Sequence, residues 1–202
     1  MKDHVNALVV SNNLACYIPQ GAGTKVHSWN GSSSKLLNQN KYVKCLALVQ
    51  GKLYCGSQDN SIQEIDLVTG TLGNIQSGSK KLLAKAYPIY ALQVHDGLIY
   101  AAAPSLDGAN VKIWSTSNYA TVGSLPSTLE IRTMVVSSEL IYLGCKGGLI
   151  EVWCRKKYNR VETLQTNSTG KILCMALDTN EDVLVIGTSD GKIQVQFKNS
   201  SI

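Results

Sequence analysis

The amino-acid sequence predicts an all-β fold, a β-propeller of about five four-stranded blades with an incomplete last blade. Residues 182–197 show the repeated shape most clearly, as one strand, a tight turn at residues 189–191 and a second strand. The ending of that second strand recurs along the chain, and the residues that close it are Trp29, Ile65, Trp114, Trp153 and Gln196. The intervals between them are 36, 49, 39 and 43 residues, which fits the roughly 40–45 residues of a propeller blade.

The composition agrees with strands that are buried on both faces. Of the 202 residues, 44% are hydrophobic, and a chain of this length buries about 70% of its unfolded surface on folding. Runs such as VLVIGT and KCLALV are nearly continuous in apolar residues, as expected where each blade packs between two others. Because no apolar stripe of helical period reaches the length of a helix, stacked sheets are favoured over helical repeats.

We expect a single domain over residues 1–202, with blades at about residues 4–38, 42–86, 89–126, 131–166 and 171–197. The first blade is expected to have strands at residues 4–10, 14–18, 24–29 and 34–37. The second is expected to have strands at residues 42–49, 53–57 and 61–66, with its fourth strand within residues 71–87. Turn residues that tolerate positive φ, such as Asn60, separate these strands. The basic segment at residues 80–85 fits a strand plus loop better than one helical turn.

The third blade is expected at residues 89–94, 98–103, 110–115 and 119–125, with a loop at residues 104–109. The fourth is expected at residues 131–137, 140–144, 149–153 and 160–165, and the fifth at residues 172–177, 183–188 and 192–197. The fifth blade has no fourth strand, and the residues before His4 are too few to supply one. The sequence therefore predicts a partial propeller that needs missing blades or a strand from a parent protein. A five-bladed ring with one weak blade is the alternative.

No catalytic, cofactor-binding or metal-binding residues are predicted. The three histidines lie in different repeats, and the side chains of His95 and Asp96 are expected to point apart. The six cysteines form no CxxC pair, and those in apolar strand runs are expected to be small buried hydrophobes: Cys16, Cys45, Cys55 and Cys174.

Because no apolar run approaches the ~18–20 residues of a membrane span and the N-terminus does not resemble a signal peptide, we expect an intracellular protein. The cytoplasm is favoured, with the nucleus as the alternative compartment.

Two basic clusters bear on nucleic-acid binding within a net charge of +5. One comprises Lys80, Lys81 and Lys85, and the other comprises Arg155, Lys156, Lys157 and Arg160. Connections from third to fourth strands lie on one propeller face and connections between blades on the other, so the two clusters are expected to oppose each other. This arrangement favours solvated loop charge over a nucleic-acid track. An RNA-binding propeller remains the alternative, since Tyr158 lies beside the second cluster.

The turns between second and third strands form the predicted protein-binding rim. A rigid propeller holds such loops still, which makes them suitable for recognition. The polar residues at these turns are Gln20, Asp59, Asn60, Asp107, Lys146 and Asp190. Each also has an ordinary role in its own turn.

The repeats resemble WD40 units, although only Trp29, Trp114 and Trp153 keep the tryptophan and none is followed by Asp. The Asp-His-Ser-Trp hydrogen-bond network of WD40 blades is therefore not expected. A narrower resemblance is to the C-terminal WD-repeat region of the plant LIN/Cerberus family of U-box E3 ubiquitin ligases. It is carried by LACYIPQGAGTKVHSWN, KYVKCLALVQGKLYCGSQDNSIQEIDL, KLLAKAYPIYALQVHDGLIYAA, LIYLGCKGGLIEVW and DGKIQVQ. Gln196 departs from the tryptophan expected in the final repeat.

The resemblance implies a non-catalytic module that recognises a protein partner or ubiquitination substrate. It links the chain to protein ubiquitination and to root-nodule infection, and it implies ligase activity for a parent protein carrying the U-box and helical repeats. Neither of those regions is evident in this sequence. A free-standing WD40 scaffold unrelated to ubiquitin is the other class of function that the sequence leaves open.

Overall fold

The computed structural model describes residues 5–11, 13–20, 25–38, 42–77, 87–105 and 108–197. Blade 1 comprises β1 (Val5–Ser11), β2 (Leu14–Pro19), β3 (Val26–Trp29) and β4 (Ser34–Asn38). Blade 2 comprises β5 (Val43–Val49), β6 (Lys52–Ser57), β7 (Ile62–Asp66) and β8 (Leu72–Gln76). Blade 3 comprises β9 (Ala91–His95), β10 (Leu98–Ser105), β11 (Gly108–Ser115) and β12 (Thr121–Ser127).

Blade 4 comprises β13 (Ile131–Val136), β14 (Leu140–Cys145), β15 (Leu149–Cys154) and β16 (Arg160–Gln165). A short 3₁₀ turn, Lys146–Gly148, connects β14 to β15. Blade 5 comprises β17 (Ile172–Leu177), β18 (Val183–Thr188) and β19 (Ile193–Phe197). Every blade is an antiparallel meander in which sequential strands pair. Among the residues described, no helix is long and apolar enough to cross a membrane.

The blades stack around a common axis through their first strands. β1 contacts β5, β5 contacts β9, β9 contacts β13, and β13 contacts β17. A separate cluster of buried apolar side chains fills each space between consecutive blades. Val26 and Leu53 contribute to the cluster between blades 1 and 2, and Ile150 and Leu184 to the cluster between blades 4 and 5. The predicted five-bladed, all-β propeller is confirmed.

The arc of blades is open in the described chain. β17 makes no contact with β1 comparable to the contacts between other first strands. Within the described residues blade 5 has three strands, and β19 pairs on one side only. The outward faces of blades 1 and 5 consequently expose large apolar side chains, including Val10 and Phe197.

The structure corrects two sequence-based expectations about local structure. The loop expected at residues 104–109 is shorter, because β10 continues to Ser105 and β11 begins at Gly108. Cys174 was expected to be buried but is exposed, since its face of blade 5 is uncovered. The fourth strand of blade 2 is Leu72–Gln76, and the basic segment at residues 80–85 lies outside the described residues.

Candidate partner-binding face

One face of the propeller carries a row of outward-bulged residues on the first strands. In four blades the pairing of the first strand with the second shifts register near its start. The bulged residues are Asn6, Lys44, Arg132 and Leu173, and Tyr90 holds the equivalent position directly before β9. A bulge turns a side chain out of the regular alternation of a strand, so these residues escape the packing between blades.

The bulges lie beside the predicted rim. The start of each first strand pairs with the end of the second strand, as Val43 does with Ser57, which places the bulge next to the turn that leads into the third strand. Since consecutive first strands are neighbours, the bulged residues form a row along the inner side of that face. Asn6, Lys44 and Leu173 are exposed, while Tyr90 and Arg132 are half-buried.

Arg132 is held firmly within this row. Its guanidinium carbon lies 4.9 Å from the centroid of the Tyr90 ring, a cation–π contact that joins blades 3 and 4. Its Nη2 also donates to the Glu130 carboxylate. Arg132 Nε is buried and has no hydrogen-bond partner among the described residues. The face therefore carries a positioned cation that is already paired with Glu130, and its remaining Nε donor is buried.

The structure places five of the six predicted rim residues on this same face. Gln20 follows β2 and is exposed, while Asp59 and Asn60 lie half-buried in the turn between β6 and β7. Lys146 is exposed in the 3₁₀ turn, and Asp190 is exposed in the turn between β18 and β19. Asp107 lies outside the described residues.

Two of the rim aspartates are occupied in local networks. Asp59 Oδ1 accepts from the backbone N–H of Ser61 at 3.1 Å and from its hydroxyl at 2.6 Å. Asp190 Oδ1 accepts from Ser168 Oγ at 2.8 Å and from Thr188 Oγ1. A hydroxyl network thus ties the turn of blade 5 to the connection from blade 4. This network of Asp190, Ser168 and Thr188 contains no histidine, unlike the Asp-His-Ser-Trp network of WD40 blades.

These hydrogen bonds make stability depend on the ionisation of Asp190. Donation by Thr188, Ser168 and Lys192 lowers the pKa of the Asp190 carboxyl well below its usual range. A carboxyl whose folded-state pKa is depressed stabilises the fold above its unfolded pKa of about 4, and this stability is lost as pH falls through the folded pKa. Asp190→Asn is therefore expected to flatten the loss of stability below about pH 4. Urea unfolding at several pH values measures this slope, and an unchanged slope would contradict the assignment.

The opposite face holds the basic cluster that was weighed for nucleic-acid binding. Arg155 Nη1 pairs with Asp96 at 2.8 Å, and Arg160 Nη1 pairs with the buried Glu151 at 3.0 Å. Lys156 and Lys157 are exposed. Half of the cluster is thereby committed to ion pairs within the protein. The other basic cluster, Lys80, Lys81 and Lys85, lies outside the described residues.

The expectation that His95 and Asp96 point apart is wrong. Asp96 adopts a positive φ of 45° in its turn, which brings its carboxylate to 3.4 Å from His95 Nε2. The stronger partner of this carboxylate is Arg155, whose hydrogen bond is the main cause of the lowered pKa of Asp96. The ion pair of Asp96 and Arg155 thus links blade 3 to blade 4. Within the described residues, no cluster of three or more metal-ligating side chains occurs.

Sequence reasoning missed the bulge row, although a local signal marks it. Each bulged residue lies between a β-branched residue and a small one, in the triplets VNA, VKC, IYA, IRT and ILC. In blades 2 to 5 the β-branched residue is buried in the inter-blade packing, and the middle residue is turned outward. This triplet identifies the position independently of the residue it carries.

The stacked meander sheets define a β-propeller, and comparison with solved structures supports this class. The chain superposes over 96% of its length, with a TM-score of 0.76 and 15% identity, on 60% of a chain in a structure titled "Crystal Structure of Mitotic Checkpoint Complex". It superposes over 96% of its length on 58% of the computationally designed Ika8 protein, with a TM-score of 0.72 and 19% identity. At these identities the likeness concerns the fold alone. No protein-family model matches the chain.

The predicted resemblance to LIN-type proteins is confirmed by two curated relatives. The chain is 42% identical over 196 residues to "Putative E3 ubiquitin-protein ligase LIN-2" of Lotus japonicus and to "Putative E3 ubiquitin-protein ligase LIN" of Medicago truncatula. Each match covers 96% of this chain and 13% of the relative. This chain is thus similar to one small region of LIN-type proteins.

Proposed function

We propose that this propeller is a non-catalytic protein-interaction module that recognises a partner or substrate for a LIN-type ubiquitin ligase. The observation that carries the proposal is the row of bulged side chains beside the predicted rim. The row lies outside the apolar clusters between blades, apart from the contact between Tyr90 and Arg132, and it offers Lys44, Tyr90, Arg132 and Leu173 on a rigid support. Because the chain matches only 13% of its relatives, ligase chemistry is assigned to regions outside the match.

The chemistry of the face favours an extended peptide. The exposed Lys44 suits acidic side chains or backbone carbonyls, and Tyr90 and Leu173 suit apolar side chains. Nucleic acid is the less favoured ligand, because a phosphate backbone requires a continuous run of free cations. On the opposite face, Arg155 already pairs with Asp96.

The test is a quantitative affinity capture with matched variants. The face variant Lys44→Ala/Leu173→Ser changes two exposed bulge residues, and the control Lys156→Ala/Val68→Ser changes one lysine and one exposed apolar residue on the opposite face. We expect proteins captured by the wild type to be retained by the control and reduced about fivefold or more by the face variant. Equal capture by both variants, or no specific capture by the wild type, would overturn the proposal.

Ubiquitination of the captured proteins tests the proposed link between this module and a ubiquitin ligase. If the module recognises substrates, captured proteins should become ubiquitinated when the propeller is present in a LIN-type ligase, and the face variant should reduce this. Capture without ubiquitination would favour a scaffold unrelated to ubiquitin. The link to root-nodule infection is part of the same proposal, and it predicts that the captured proteins are present in infected roots.

An intracellular location of the protein is also part of the proposal. All six cysteines are free thiols. Burial raises the pKa of Cys16 to about 11 and that of Cys145 to about 12, which keeps both thiols protonated and unreactive. Free thiols suit a reducing compartment such as the cytoplasm or nucleus.

A further inference from the structure

The outward face of blade 5 is apolar on each of its strands. Val185 pairs directly with Val195, and Val183 with Phe197, so these side chains lie on one side of the sheet. Ile193 shares that side, and the exposures of Val185, Ile193, Val195 and Phe197 range from 39% to 79%. Ala176 and Cys174 of β17 continue the same surface and are also exposed. The surface has no polar centre.

The equivalent positions of blade 4 show what such a face is for. Register places Ile150, Val152 and Tyr142 of blade 4 where Ile193, Val195 and Val185 lie in blade 5. In blade 4 these side chains are at most 6% exposed, because blade 5 covers them. The same positions therefore form a blade-to-blade interface where a following blade exists.

Blade 1 shows the matching situation at the other end. Its outward face presents Leu8, Val10 and Trp29, which are between 49% and 63% exposed. The equivalent residues of blade 2 are Leu46, Leu48 and Ile65, and they pack in the cluster between blades 1 and 2. Both ends of the arc thus carry the side chains of an internal interface without its other half.

We propose that each end face is a blade-to-blade interface covered by a further β-propeller blade, one preceding β1 and one following β19. The blade after β19 would follow a fourth strand that completes blade 5. The relatives provide ample chain for this, since the present match covers 13% of their length. The inference is independent of the proposed partner-binding face, which lies at the strand ends and not on the flat sides of the blades.

A second copy of the chain fits these faces less well. Two copies would place ten blades in one ring, whereas propellers typically close with about four to eight. Contact at one end only would be a heterologous association that leaves the other face open and continues to further copies. A blade within the same longer chain closes the interface at high effective concentration.

Cys174 is a native reporter for the blade 5 face, because it is an exposed free thiol on that surface. The experiment measures maleimide labelling of each cysteine by peptide mapping, first in the 202-residue chain and then with this chain grafted into Medicago LIN in place of its matched region. Val10→Cys reports on the blade 1 face in the same way. Lys156→Cys, in an exposed turn away from both faces, is the control that should label equally in both settings.

We expect Cys174 and Val10→Cys to label rapidly in the isolated chain and more slowly in the graft, by about tenfold or more. Equal rates in the two settings would overturn the proposal. Protection that grows with the concentration of the isolated chain would also overturn it, in favour of a second copy. Labelling of the buried Cys145 reveals a misfolded graft, and Lotus LIN-2 then serves as the second host.

Discussion

Replacing Gly148 with alanine is expected to destabilise the propeller by about 2–5 kcal/mol. Gly148 has a φ of +72°, where a non-glycine residue costs about 1–2 kcal/mol. A Cβ added there would lie 1.8 Å from the Ser168 carbonyl oxygen and 2.6 Å from Thr166 Oγ1. Because the nearest atom belongs to the backbone, the connection between blades 4 and 5 must shift, and overpacking of this kind costs typically about 1–3 kcal/mol or more.

The neighbouring residue provides a matched control. Gly147 has a φ of +79°, but a Cβ added there would meet nothing within 4 Å. Gly147→Ala should therefore cost only the backbone strain, about 1 kcal/mol. Urea unfolding of the wild type and the two variants separates strain from collision. Similar losses in both variants would show that the connection at Ser168 moves freely, and the packing explanation would then be wrong.

This connection illustrates what the sequence could and could not predict about the fold. The recurrence of strand endings from Trp29 to Gln196 predicts the number of blades, because a blade requires a nearly constant length of chain. Turn pairs such as Asp96-Gly97 mark hairpins through their preference for positive φ. The collision at Gly148 is not visible in this way, because it depends on how one blade's connection lies over the next blade's turn.

The two errors have different physical origins, one in a missing long-range contact and one in the backbone geometry of a turn. Cys174 lies in an apolar run and was expected to be buried, yet a residue in a strand is buried only if a neighbour covers its face. His95 and Asp96 alternate as strand neighbours do until the turn rotates the carboxylate back toward the ring. The first error reflects tertiary surroundings that the sequence does not show, and the second reflects the positive φ of Asp96 in its turn.

One part of the candidate site could be predicted from the sequence, and the other part could not. The predicted rim followed from turn chemistry, and the structure places its described members on one face. The bulge row required the strand register, since Lys44 and Arg132 appear in sequence as polar residues that interrupt apolar strands. Once the triplet of β-branched, variable and small residues is recognised, the same position can be predicted in other degenerate repeats.

Arg155 is expected to contribute more to stability than any other surface-turn cation of blade 4. Its side chain is 12% exposed, and Nε donates to Tyr100 Oη at 3.0 Å while Nη1 donates to Asp96 and to the Ser138 carbonyl at 2.8 and 2.9 Å. Asp96 and Tyr100 belong to blade 3, so one guanidinium joins two blades. Arg155→Met keeps the packing of the aliphatic stem and removes these hydrogen bonds, and we expect a loss of about 2–3 kcal/mol.

Most of that loss should come from Tyr100 and little from Asp96. Tyr100 is fully buried, so its hydroxyl becomes an unsatisfied buried group, which costs about 1–3 kcal/mol. Asp96 is 65% exposed, so water can replace its partner. Adding Tyr100→Phe to Arg155→Met should therefore cost less than it does in the wild type, a coupling measurable by urea unfolding in a double-mutant cycle. Lys156→Met, one residue further along the turn, should change stability by no more than about 0.5 kcal/mol. Strict additivity of the two substitutions would mean that Arg155 does not join the blades through Tyr100.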